Sequence, residues 1–180
     1  MLDLEDITIV IPTNLKNIKF ERIAQINSYV KENIKVILSI PPETNICKIY
    51  NLGFSQKINI INSEYIGQVN QRQYGFKFCK TNLIMQMDDD IDFEISKIQK
   101  LLIKFKKLPI GSCLAPYLKS EVGYKLFSRI SKFFKCIFLY SQMELKSGSI
   151  SRSSFPVPHF KKVINNKVPF EEVSWLPGGI

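Results

Sequence analysis

Cysteine, histidine and tryptophan are scarce in this 180-residue chain, which has four Cys, one His and one Trp. Cys47, Cys79, Cys113 and Cys136 are scattered, and no Cys-x-x-Cys pair occurs. Neither a zinc site nor a dithiol redox pair is suggested, and reduced, mostly buried thiols are expected. The single His159 lies in a proline-rich stretch, Pro156-Val157-Pro158-His159, and reads as a surface or packing residue rather than a catalyst. Long hydrophobic runs are also missing. No segment approaches the roughly 18 uninterrupted apolar residues that a membrane span needs. The opening Met1-Leu2-Asp3-Leu4-Glu5-Asp6 is acidic and lacks the basic start of a signal peptide. A cytoplasmic protein is expected.

Acidic residues are thin in one half of the chain only. Residues 1–90 balance ten Lys/Arg against ten Asp/Glu, whereas residues 91–180 carry fifteen against six, so the net charge of +9 comes entirely from the second half. Such asymmetry implies an anionic partner: phosphates, nucleic acid or an acidic membrane surface. The alternative is a set of solvated lysines. Nucleic acid is disfavoured, because no glycine-rich or aromatic recognition motif accompanies the lysines. A hydrophobic fraction of 45% with 13 Phe fits a globular chain, and the length fits one domain with a real core.

Apolar patterning gives the order of elements. Ile7-Thr8-Ile9-Val10-Ile11 is β-branched and reads as a central strand ended by Pro12. Phe20, Ile23, Ile26, Tyr29 and Val30 have helical spacing. Lys35 to Ile40 is a second strand, stopped by Pro41-Pro42, and Ile58 to Ile61 is a third. A helix from Gly67 to Phe78 precedes a strand over residues 82–87, and Ile95, Ile98, Leu101, Leu102 and Phe105 mark another amphipathic helix. Alternating strands and helices predict an α/β fold with a mostly parallel sheet flanked by helices. Further on, Ser112 to Ala115 reads as a strand. Residues 124–140 read as a helix with Lys125, Arg129, Lys132 and Lys135 on its polar face. That helix either lies in a membrane interface or packs its apolar face on the sheet. Val173 to Leu176 reads as a short strand.

The densest chemical signal is Asp88-Asp89-Asp90, directly after the apolar run Leu83-Ile84-Met85-Gln86-Met87. The run reads as a buried strand, which puts the aspartates on the loop past its carboxyl end, where open α/β sheets bind ligands. Three adjacent carboxylates repel one another and call for a cation. A hard divalent ion, Mg2+ or Mn2+, prefers such oxygen ligands and leaves positions open for phosphates. The alternative is a solvated acidic turn capping the next helix.

Four segments in order resemble the family-two nucleotide-sugar glycosyltransferases of the GT-A fold. They are Ile7-Thr8-Ile9-Val10-Ile11-Pro12-Thr13, Gly67-Gln68-Val69-Asn70-Gln71-Arg72, Met85-Gln86-Met87-Asp88-Asp89-Asp90, and Val173-Ser174-Trp175-Leu176-Pro177-Gly178-Gly179. Lys146 to Ser153 is similar to a segment of bacterial cell-surface polysaccharide transferases. The resemblance covers almost the whole chain. It implies a nucleotide-sugar-binding half over residues 1–110 and the start of an acceptor-side half over residues 111–180. Pro12, Thr13, Arg72, Asp88 and Asp89 would then contact the donor, with Asp90 and Asp88 on the metal. Trp175, Leu176, Gly178 and Gly179 would lie on the acceptor side.

Glu43 stands near the place of the family's base-binding acidic residue. The activity implied is inverting, metal-dependent transfer of a sugar, of hexosyltransferase type, from a nucleotide-diphosphate donor to a glycan or lipid-linked acceptor at the inner face of the membrane. The family's catalytic acidic pair follows the Gly-Gly segment. Glu171 and Glu172 precede Trp175 and are read as flanking the last strand, so the sequence reads as a domain cut short at its carboxyl end. The alternative is a homologue that binds nucleotide or membrane without catalysis. A nucleotidyltransferase would share the aspartates.

Overall fold

The computed structural model describes residues 3–15 and 18–115. The chain divides after Ser112 into two units, Met1–Ser112 and Cys113–Ile180. The helix expected over residues 124–140, the strand over residues 173–176, Glu171, Glu172, His159 and the acceptor-side residues lie outside the described residues.

A single 3-10 turn, Leu4–Asp6, leads into β1 (Ile7–Pro12), and α1 (Phe20–Lys31), β2 (Lys35–Ile40), α2 (Ile46–Tyr50), β3 (Asn59–Asn62), α3 (Gln68–Lys77), β4 (Leu83–Gln86) and α4 (Ile95–Phe105) follow. The four strands form one sheet in the order β3-β2-β1-β4. Every pairing is parallel. The alternation of strands and helices thus produces the α/β class expected from the apolar pattern.

All six residues of β1 are buried, because β2 and β4 flank it and helices cover both its faces. On one face Ile7, Ile9 and Ile11 join Val36, Leu38 and Ile40 of β2, Ile23, Ile26, Tyr29 and Val30 of α1, and Ile98 and Leu102 of α4 in the main core. On the other, Val10 and Ser39 lie beneath Gly75 of α3. That contact needs glycine: a Cβ at position 75 would lie 2.5 Å from Val10 Cγ1. Pro12 is the last residue of β1 rather than the stop beyond it. Thr13 N donates to Ser39 O at 3.0 Å, so by alternation the missing N–H of Pro12 faces the β4 side. There the register already ends at Val10 and Gln86, and no ladder bond is lost.

Several expectations change. The run Leu83 to Met87 is not a buried strand throughout. Among the described residues β4 has a neighbour on one side only, and Ile84 is 49% exposed while Met87 is 2% exposed. The strand is half-covered because α3 packs on β1 and β2 rather than over β4. Ser112 to Ala115 is irregular rather than a strand. Gly111 turns at φ +84° and Ser112 N donates back to Pro109 O. Among the described residues the thiols are not buried either: Cys47 and Cys113 are exposed and Cys79 is half-buried, while Cys136 lies outside the described residues. The third strand begins and ends one residue later than its apolar run suggests. Helix α2 was not evident from spacing; it is a five-residue segment capped by Asn45, whose side chain accepts from Lys48 N.

Gly75→Ala is expected to destabilise the fold by about 1–3 kcal/mol, the usual cost of overpacking a filled contact. Urea denaturation should show the loss. The double variant Gly75→Ala, Val10→Ala should recover part of it, because the clashing Cγ1 is gone.

Candidate functional site

Three chain segments meet at the carboxyl end of the sheet. Thr13 follows β1, α3 begins after Gly67, and the aspartate loop leaves β4. The sheet order creates the meeting place. From β1 the chain moves outward to β2 and β3, then returns to place β4 on the other side of β1. The β1–β4 boundary is therefore a topological switch point, the position at which open α/β sheets commonly bind ligands.

The aspartate loop is held at its backbone and at its side chains. Met87 N donates to Val10 O at 3.1 Å, extending the ladder one residue past β4, and Ile91 N donates to Asp88 O at 3.3 Å, closing a turn. Thr13 Oγ1 donates to Asp89 Oδ2 at 2.5 Å and accepts from Leu15 N at 3.0 Å. Arg72 forms an ion pair through Nη2 with Asp88 Oδ1. The Arg72 side chain is 9% exposed and that of Asp88 is 33% exposed, so the pair spans the boundary between core and solvent. Asp90 is exposed.

Gln71 and Arg72 reach the site because α3 starts beside it. Gly67, at φ +115° and ψ 144°, makes the turn into the helix in a conformation that side-chain-bearing residues avoid. One turn on, buried Gln71 donates Nε2 to Thr13 O at 3.0 Å and to Ser39 O at 2.7 Å. This single amide ties the ends of β1 and β2 together.

A second arginine enters from α1. Arg22 donates Nε to Asp89 O at 3.0 Å and Nη2 to Asp88 O at 3.2 Å, and Nη2 also approaches Met87 Sδ at 3.2 Å. Its Nη1 donates to Gln25 Oε1, and Gln25 Nε2 donates to Asp92 Oδ1. Tyr29, one turn further along α1, donates its hydroxyl to Phe93 O at 2.6 Å. Burial pushes the Tyr29 phenol above its ordinary pKa, against the opposing influence of Arg22.

The structure brings Thr13, Arg72, Asp88 and Asp89 together, with Pro12 next to Thr13 and Asp90 at the solvent side of the same loop. It does not bring in Glu43. That residue is exposed, at φ +62° in the turn after β2, and β1 separates the β2 end from the β4 end by about 10 Å across the sheet. Arg22 and Gln71 were missed as site residues. The signal for Arg22 was present: it shares the buried stripe of Ile26 and Tyr29, an unusual place for a cation. Gln71 gave no such signal.

The need of the three aspartates for positive charge is met in part by the chain itself, through Arg72 and Arg22. Among the described residues no group of three or more His, Cys, Asp or Glu side chains could hold a metal ion, so there is no cage built from protein ligands alone. The chemistry of the loop does suit a shared cation. Asp90 and the exposed side of Asp88 are hard oxygen donors, and Mg2+ commonly takes one or two carboxylates and completes its shell with phosphate oxygens and water. Compared with models of known protein families and with curated protein sequences, the chain finds no match.

Tyr29→Phe is expected to cost about 1 kcal/mol at neutral pH, the net worth of one hydrogen bond. The pH dependence has a defined sign. Folding raises the phenol pKa, so the unfolded chain releases the proton first. The Tyr29 contribution is full below about pH 10 and is lost as pH rises from there through the raised value. Denaturation of wild type and Y29F between pH 7 and pH 11 should show the gap closing above pH 10.

Proposed function

We propose that this chain is a GT-A-type glycosyltransferase domain that binds a nucleotide-diphosphate sugar at the β1–β4 boundary and transfers the sugar to a glycan or lipid-linked acceptor. The observation that carries the reading is the convergence of Thr13, Arg72 and the Asp88–Asp90 loop on the switch point of a parallel sheet. This is the position where α/β sheets take nucleotides.

On this reading each residue has a distinct task. Arg72 offers a planar, permanently charged donor set to a phosphate or to the base. Pro12 and Thr13 line the nucleotide pocket at the end of β1. Asp90 and Asp88 would hold Mg2+ or Mn2+ shared with the diphosphate, and that cation would offset the negative charge that develops on the leaving phosphate. The excess of Lys and Arg in residues 91–180 suits an acceptor phosphate or an anionic membrane surface. No helix among the described residues is long and apolar enough to cross a membrane.

A ligand that binds only the folded state raises its stability by mass action, by about 2.7 kcal/mol at a hundred times Kd. UDP, GDP, CDP and dTDP are each to be titrated in a thermal-shift experiment with Mn2+ and with EDTA. One of them should raise the melting temperature with Mn2+ and do far less with EDTA, and Asp90→Ala should remove the metal-dependent part. A wild-type chain that none of the four stabilises, or an Asp90→Ala chain with an unchanged shift, would overturn the proposal. Metal-dependent binding without hydrolysis or transfer of a labelled donor would identify a nucleotide-binding module instead.

A further inference from the structure

We propose that Arg22 is the positioning residue of the aspartate loop, acting through the Asp88 and Asp89 carbonyls to set the directions of the carboxylates that meet the ligand. Its geometry is unusual for a surface-helix arginine. Arg22 is 9% exposed. Among the described residues it has no salt bridge with a carboxylate. Its donors go instead to neutral acceptors: the carbonyls of Asp88 and Asp89, the Gln25 amide oxygen and the Met87 sulfur. A buried guanidinium satisfied in this way fixes whatever carries those acceptors.

What carries them is the backbone on either side of Asp89. The Asp88 carbonyl belongs to the peptide plane between Asp88 and Asp89, and the Asp89 carbonyl to the plane between Asp89 and Asp90. Peptide units are planar. Holding two consecutive carbonyls from one rigid fork therefore fixes both planes and the dihedral angles of Asp89 between them. That in turn fixes the Cα–Cβ direction of Asp89 and restricts those of Asp88 and Asp90. Thr13 and Arg72 then need only select side-chain rotamers. Gln25 carries the restraint onward, since it accepts from Arg22 and donates to Asp92 just past the turn. Lysine has the charge but not the planar fork, and its rotatable ammonium on a flexible stem does not fix the directions of two carbonyls.

The effect on binding rests on the nucleotide–cation reading above; the effect on the loop does not. Two readouts separate them. Arg22→Met keeps the length of the apolar stem and removes the donors, and Arg22→Lys keeps the charge. Hydrogen exchange at the Ile91 amide, which bonds to Asp88 O, reports the loop directly. Arg22→Met should speed it roughly ten- to a hundredfold, while amides of the β1–β2 ladder stay protected. UDP is the probe for binding, measured by calorimetry per folded protein with Mn2+ and with EDTA. Loss of an outer-shell partner typically weakens metal affinity about 10- to 100-fold. Arg22→Met should weaken the Mn2+-dependent Kd by that factor, leave the EDTA value unchanged, and find Arg22→Lys nearly as impaired.

Wild-type exchange at Ile91 in both variants would overturn the proposal. So would equal losses of affinity with and without Mn2+, which would mark Arg22 as structural only. A wild type that ignores UDP while Arg22→Met still speeds Ile91 exchange would sustain the positioning of the loop and count against UDP as the donor. If Arg22→Met does not fold, Arg22→Lys carries both readouts with the same criteria.

Discussion

The burial of β1 on both faces, with a parallel partner on each edge, is the constraint on which the rest depends. A parallel neighbour cannot be reached by a tight turn; each needs a crossover, which here carries a helix. The two neighbours of β1 are β2 and β4: the chain reaches β2 directly from β1, and reaches β4 from β3 by a return across the sheet. Thr13 follows the carboxyl end of β1, beside the point where the strand order reverses. Burial also explains the composition of β1. With no face toward solvent it has no reason to alternate, and it reads Ile-Thr-Ile-Val-Ile-Pro. Its one polar side chain, Thr8, is satisfied by Thr81 at 2.6 Å.

The aspartate loop is gripped from both faces of the sheet. Arg22 comes from α1 on the face of the main core, and Arg72 comes from α3 on the face packed by Val10 and Gly75. One takes backbone carbonyls and the other takes a carboxylate. This division suits the electrostatics. Adjacent carboxylates cannot all be stabilised by ion pairs without crowding cations into one place. Arg72 supplies one direct pair, Thr13 a hydroxyl donor, and Arg22 a nearby positive charge engaged through neutral oxygens. The close approach of α3 at Gly75 is part of the same arrangement, because a helix held further from β1 would carry Gln71 and Arg72 away from the strand ends.

The fold was legible to the extent that burial writes itself into apolar spacing. β1, α1, β2 and α4 are long or strongly patterned, and they appear where Ile, Val and Leu place them. Helix α3 (Gln68–Lys77) lies within the helix expected over Gly67 to Phe78, although it buries Gln71, Arg72 and Gly75. The errors follow from context that spacing does not encode. Leu83 to Met87 has the composition of a buried strand, yet half of it is exposed, since composition cannot report whether a helix lies above. In the site, residues that act by side-chain charge next to the aspartates were readable, whereas Arg22 and Gln71 act on backbone carbonyls, which leave no trace in the sequence of their partners. Glu43 stands two strands away from the aspartate loop, a separation that order along the chain does not report.

The loop also grades its carboxylates by exposure, and the grading fits their contacts. Asp89 is half-buried and bonded to Thr13, Asp88 is half-buried and paired with Arg72, and Asp90 is exposed. The first two carboxylates are thus partly committed to the protein, and the third is left to solvent. On the proposed reading, an incoming phosphate would compete with Asp88 for Arg72. Asp88 released in that way would stand as a bare carboxylate beside Asp90, and the two would be better able to hold a divalent cation. The Arg72–Asp88 ion pair, which relieves repulsion within the acidic loop, would then link binding of an anion to binding of a cation.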